Sequence, residues 1–217
     1  MKSPKVIGVD LDNTIISYDK LMHKLAVKRG LIKETEPSGK TSIRDQIRKL
    51  SNGEVEWQRI QAMAYGPHIM EANLIEGVRE FFATCRQKKI KVFIVSHKTE
   101  YSNLGEDKTN LRESALSWME TQNFFAVNGL GLNKKSQVIF ESTREEKVKR
   151  VASLGCQWFI DDLEETFLEK DFPTDVKGIL FAPSIESAKT VTLKQKVKPQ
   201  LQIMKNWKEI ANYFFAA

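Results

Sequence analysis

The chain has 217 residues, enough for about 1.4 domains by length. Its 34 Lys and Arg outnumber 28 Asp and Glu, for a formal charge of +6. Hydrophobic residues at 41% and charged residues at 29% are the balance of a soluble globular chain with a sizeable core, and they exclude a disordered, collagen-like or disulfide-scaffold protein.

Val6-Ile7-Gly8-Val9 is a short apolar run ended by Asp10-Leu11-Asp12-Asn13, the pattern of a buried strand stopping in a polar turn. Because Asp10 ends the run after four residues, it is too short for the apolar core of a signal peptide. No stretch approaches the length of a membrane span. Both point to a cytoplasmic protein with no membrane partner.

Residues 18–73 differ from the rest. Leu21, Leu25 and Leu31, then Ile43, Ile47 and Leu50, then Val55, Ile60 and Met63 recur at helical spacing. Gly30, Pro37, Gly39, Asn52-Gly53 and Gly66-Pro67 separate these groups, so a small helical block is expected.

From Gly77 the pattern alternates. The expected order is a helix over 77–88, a strand over 90–95 ended by Ser96-His97-Lys98-Thr99, a polar loop over 100–110, and a helix over 111–122. A strand over 138–140 follows, then a helix over 144–154 closed by Gly155, and a strand over 158–160 ended by Asp161-Asp162. A strand over 177–181 and a helix over 207–215 complete the chain. Strands alternating with helices predict an α/β fold with a parallel, Rossmann-like sheet in three layers. In such sheets the chemistry lies beyond the carboxyl ends of the strands. Three strand ends carry polar groups: Asp10 and Asp12, then Ser96, then Asp161 and Asp162.

Three other signals fail. Gly39-Lys40-Thr41 lacks the earlier glycine and the preceding strand of a P-loop, Glu34 standing where that glycine belongs. Gly129-Leu130-Gly131 lacks the third glycine of a dinucleotide fingerprint. Cys85 and Cys156 are far apart, with no C-x-x-C spacing, and read as buried reduced thiols.

Asp10 and Asp12 stand at i and i+2, on one side of an extended chain. Such a pair can divide nucleophilic attack from acid/base work, although an Asp-x-Asp alone is also what a solvated turn looks like. Close carboxylates repel one another, so a divalent cation is expected between them and Asp161 and Asp162. Mg²⁺ suits a site of few carboxylates, waters and phosphate oxygens.

The succession Val9-Asp10-Leu11-Asp12-Asn13-Thr14, Val95-Ser96, Lys147 on a helix, and Phe159-Ile160-Asp161-Asp162 resembles the four motifs of the haloacid dehalogenase-like (HAD) superfamily, in the right order, over most of residues 5–182. The resemblance implies that Asp10 is a nucleophile forming an aspartyl-phosphate and that Asp12 is the acid/base. It implies that Ser96 binds a phosphoryl oxygen and that Lys147, or else Lys149, neutralises charge. Asp10, the Asp12 carbonyl, Asp161 and Asp162 would hold Mg²⁺, with the division between Asp161 and Asp162 left open. Asp12 points to a phosphatase rather than a dehalogenase, because an alkoxide leaving group needs a proton and a halide does not. Glu164 and Glu165 read either as supports for a metal-bound water or as first-turn residues of a helix.

The block at 18–73 has the position of a type 1 helical cap, leaving 1–17 and 74–217 as core. Lys40, Arg44 and Arg48, at i, i+4, i+8, form either an anion clamp or a solvated face. Trp57, Tyr65 and His68 are further cap candidates. Arg44, His97 and Lys98 join Ser96 as substrate-binding candidates. The expected activity is Mg²⁺-dependent hydrolysis of a small phosphorylated metabolite. The competing expectations are a binding or regulatory protein without turnover and a phosphatase of nucleic-acid ends. The dispersed Lys and Arg and the absence of a nucleic-acid motif argue against the last.

Overall fold

A computed structural model describes residues 6–104, 108–183 and 201–216, so 105–107 of the expected polar loop lie outside it. The chain divides into two compact units: residues 1–15, 75–98 and 123–217, and residues 16–74 and 99–122.

The first unit is built on six strands: β1 (Val6–Val9), β4 (Lys91–His97), β5 (Val138–Glu141), β6 (Trp158–Asp161), β7 (Lys177–Phe181) and β8 (Leu201–Met204). Their order is β5-β4-β1-β6-β7-β8, and every neighbouring pair is parallel. This is the expected α/β architecture with one strand more than the sequence pattern showed. Leu201-Gln202-Ile203-Met204, at the sheet edge, is buried only at its two ends, and Gln202 breaks the continuous apolar run that marks the inner strands.

Period-2 alternation sends side chains to two helical layers. Phe93, Val95, Phe159, Leu180 and Ala182 pack with Val148 and Val151 of α6 (Arg144–Ser153) and Phe167 of α7 (Glu164–Leu168). On the other face, Phe181 meets Trp207 of α8 (Trp207–Phe215), which stacks 4.9 Å from Phe81 of α4 (Val78–Gln87). Trp207 is fully buried and satisfies its indole by donating to the Thr14 carbonyl at 2.9 Å. Gly8 sits where β1 presses on its neighbour. A Cβ there would lie 2.7 Å from the Phe159 ring and 3.0 Å from Cys156 Sγ, so only glycine fits this central strand.

The second unit holds α1 (Asp19–Lys28), α2 (Lys40–Ile47), α3 (Gly53–Tyr65), a 3-10 turn (Ile69–Glu71) and α5 (Leu111–Thr121). The antiparallel two-residue strands β2 (Ile16–Ser17) and β3 (Asn73–Leu74) also belong to it. Leu21, Leu25, Ile43, Ile47 and Ile60 are buried as their spacing requires, but Leu50 and Val55 fall at helix ends and are exposed. Helix α5 packs in this unit, on α3 and the 3-10 turn, whereas the sequence pattern placed it in the α/β core. Its Trp118 donates to the Ala72 carbonyl at 3.1 Å, anchoring the helix to the unit by a buried hydrogen bond. Among the described residues, no helix is long and apolar enough to cross a membrane.

Candidate active site

Strand β1 lies between β4 and β6, so the ends of these three strands are neighbours at the carboxyl edge of the sheet. That edge is where open parallel sheets bind ligands. The Asp10 amide continues the ladder, donating to the Ile160 carbonyl at 2.8 Å, and this fixes the backbone under its side chain. Asn13 then turns the chain away in the left-handed region, at φ 64°, a conformation Asn tolerates better than most residues.

Helix α6 brings the cation. Thr143 caps it in a capping box with Glu146, each side chain bonded to the other's amide at 3.0–3.1 Å. The box fixes where the helix starts and places Lys147 one turn in, on the buried face. Lys147 Nζ donates to Asp10 Oδ1 at 2.6 Å and to Asp161 Oδ2 at 2.7 Å. Lys149 points elsewhere and pairs with Glu145 and Asp171.

All three members of this bridge are buried. Burial raises the Asp10 carboxyl to about 7, helped by the charges of Asp161 and Asp12 and opposed by Lys147. Burial alone would discharge Lys147, but the carboxylates of Asp10 and Asp161 prevail and hold its pKa above the usual lysine range. Asp161 also accepts from the Leu163 amide at 2.9 Å through Oδ1, so protein donors engage both its oxygens.

Asp10, Asp161 and Asp162 offer carboxylate oxygens within 4.8 Å of one another. Two of the three, Asp10 and Asp161, are buried, and clustered carboxylates in such a place favour a nearby positive charge. The donor set therefore fits a hard divalent cation with oxygen ligands.

Ser96, the sixth residue of β4, is 1% exposed, and its hydroxyl has no hydrogen-bond partner among the described residues. The Thr14 hydroxyl is in the same position. A buried hydroxyl with no partner is costly, so both mark places where a polar ligand would be satisfied. His97 Nε2 bonds to the Ser142 carbonyl at 3.0 Å. Burial, with Lys147 and Arg144 nearby, lowers its pKa. Lys98 is buried and pairs with Asp12 Oδ2 at 2.8 Å.

The structure thus brings together Asp10, Asp12, Ser96, Lys98, Lys147, Asp161 and Asp162 in one unit. Arg44 lies on α2 of the other unit and pairs with Asp45 at 2.8 Å. Arg48 likewise pairs with Glu54, and the Lys40 amide donates to Asp19. Of the other candidates there, Trp57 is buried, Tyr65 packs edge-on against Tyr18, and His68 pairs with Glu71. Glu164 and Glu165 are first-turn residues of α7, Glu164 buried. Sequence spacing did not reveal the Lys98–Asp12 pair, because no local pattern links a residue after β4 to one after β1.

No protein-family model and no curated protein matches the sequence. Solved structures match it in fold. A HAD family hydrolase from Deinococcus radiodurans R1 with bound phosphate and sodium aligns at TM-score 0.58 and 12% identity, over 97% of this chain and 95% of its own. A HAD-superfamily hydrolase from Ehrlichia chaffeensis aligns at 0.54 and 15%, over 98% and 97%. A dehalogenase aligns at 0.53 and 10%, over 98% of each chain. The chain therefore shares the fold of these HAD-family proteins along nearly its whole length.

Proposed function

We propose that this protein is a HAD-type phosphatase that hydrolyses a small phosphorylated metabolite with Mg²⁺, through an aspartyl-phosphate on Asp10. The observation that carries the reading is the Lys147 ammonium between Asp10 and Asp161, 2.6 and 2.7 Å away. A carboxylate can attack a phosphate only if the charge of both is offset. The phosphate in the Deinococcus radiodurans neighbour supports a phosphoryl ligand for this fold.

In this reading Asp10 attacks phosphorus and the ester P–O bond breaks. Asp12 gives its proton to the leaving alkoxide, which departs as the alcohol. Asp12 then takes a proton from water as the water cleaves the aspartyl-phosphate, releasing inorganic phosphate and restoring Asp10. The Ser96 hydroxyl donates to a phosphoryl oxygen, and Lys147 balances the charge on Asp10 and the phosphoryl group. Asp10, Asp162 and the Asp12 carbonyl would hold the cation, with Asp161 pinned by Leu163 and Lys147 as its support. When bound, Mg²⁺ supplies charge neutralisation to the phosphoryl oxygens. A dehalogenase would have no use for Asp12.

The segment of the helical unit inserted after β1 is read as the cap, with Arg44 as its candidate for an anionic substrate group. Phosphate release from p-nitrophenyl phosphate and a broad phosphometabolite panel, with Mg²⁺, tests the proposal. Turnover that Asp10→Asn abolishes is expected. No release from any substrate would point instead to a binding protein without turnover.

A further inference from the structure

Lys98 is 4% exposed, an unusual place for an ammonium, which stays in a protein interior only when paired. Its backbone is tied down just beyond β4, the amide donating to the Glu141 carbonyl at 2.9 Å on the edge strand β5. The side chain returns across the sheet edge and reaches Asp12 Oδ2 at 2.8 Å, with only 2% of it accessible. The sequence suggested that Lys98 would contact substrate. In the structure it pairs with the carboxylate read above as the acid/base.

We propose that Lys98 is a positioning residue that holds the Asp12 carboxylate in the orientation from which it takes the proton of the attacking water. This rests on the reading of Asp12 as the acid/base. Three features support it. Asp12 lies beyond the end of β1, in an isolated β-bridge rather than in the ladder that the Asp10 amide continues. A carboxylate swings about two torsions, and an ion pair to one oxygen removes that freedom. The cation that does so is itself immobile, held by burial and by the β4–β5 corner. The nucleophile and the acid/base thus each have their own lysine: Lys147 from α6 for Asp10, and Lys98 from β4 for Asp12.

The assignment separates the two halves of the reaction. With p-nitrophenyl phosphate the leaving group departs without a proton, so formation of the aspartyl-phosphate does not need Asp12. Its hydrolysis does. Lys98→Met should therefore show a burst of nitrophenolate equal to the enzyme, then a kcat about 100-fold below wild type, on the scale of a lost general base. Its kcat/KM should change by less than about 3-fold, and phosphorylated protein should be detectable by intact mass spectrometry. Lys98→Arg, which keeps the ion pair, should restore most of kcat. A raised KM with no burst, the signature of a lost phosphate ligand, would overturn the assignment, and so would unchanged kinetics. Lys98→Gln takes the place of the Met variant if that one does not fold.

Failure of wild-type turnover would count against the proposed function and not against this inference. Crystal structures of wild type and the Lys98 variant then decide it: a displaced Asp12 carboxylate in the variant is expected, and an unmoved one overturns it.

Discussion

Lys147 Nζ donates to Asp10 Oδ1 at 2.6 Å although 137 residues separate them in the chain. The same ammonium holds Asp161 at 2.7 Å, so one cation ties the central strand to its neighbour β6 through helix α6. Removing one partner of a buried ion pair costs about 3–5 kcal/mol, because the other charge is left behind. Lys147→Met should therefore lower the melting temperature by on the order of 10 °C for a chain of this size, as read by calorimetry without metal. Activity should fall by at least about 100-fold. A variant as stable as wild type would show that the bridge does not exist in solution.

Ser96 makes the opposite case. Its buried hydroxyl has no partner among the described residues, so its removal costs the fold little. Ser96→Ala should keep stability within about 1 kcal/mol of wild type while kcat/KM falls by about 10- to 100-fold through the lost hydrogen bond to phosphate. Urea unfolding and steady-state kinetics on the same preparation separate the two effects. Equal activity would remove Ser96 from the site.

The carboxylate cluster predicts a metal-dependent stability. Asp10, Asp161 and Asp162 bring carboxylate oxygens within 4.8 Å of one another. Mg²⁺ at about 100 times its dissociation constant should stabilise the protein by about 2.7 kcal/mol. The rise in melting temperature should vanish with a chelator and be much reduced in Asp162→Asn. A melting temperature indifferent to Mg²⁺ and Mn²⁺ would argue that the cluster holds no cation.

The two cysteines carry a pH prediction. Burial pushes both thiols from the ordinary 9.0 up to about 12. The folded state then keeps protons that the unfolded chain has released, so stability falls as pH climbs from 9.0 toward 12. Urea midpoints should drop more steeply in that range for wild type than for Cys85→Ala or Cys156→Ala. At about pH 8 the folded protein should resist a thiol reagent such as DTNB and react fully once unfolded, since the thiolate is the reactive form. Rapid labelling of the folded state would contradict the burial.

The split between what could be read locally and what could not follows from range. Val6–Val9 ending in Asp10, Ile90–Val95 ending in Ser96, and Trp158–Ile160 ending in Asp161 are local patterns. An apolar run must be buried, and a polar group at its end must face out of the sheet. Those three strands and the acidic and hydroxyl groups at their ends were therefore legible from spacing alone, and with them the α/β class. Strand β8 was not, because an edge strand buries only part of its surface and Gln202 interrupts a run of only four residues. Nor was the placement of α5, since periodicity reports that a helix has a buried face but not what covers it.

The amino-acid sequence by itself determined which chemical groups this protein has and that they close the strands of a parallel sheet. Only the tertiary structure decided the strand order, with β1 between β4 and β6, and so which groups meet. It chose Lys147 over Lys149, because the capping box at Thr143 sets the phase of α6 and turns one lysine inward and the other to solvent. It also gave Lys98 to Asp12. Pairings between residues 86 or 137 positions apart have no signature along the chain, because they arise from the packing of strands and helices whose order in space differs from their order in sequence.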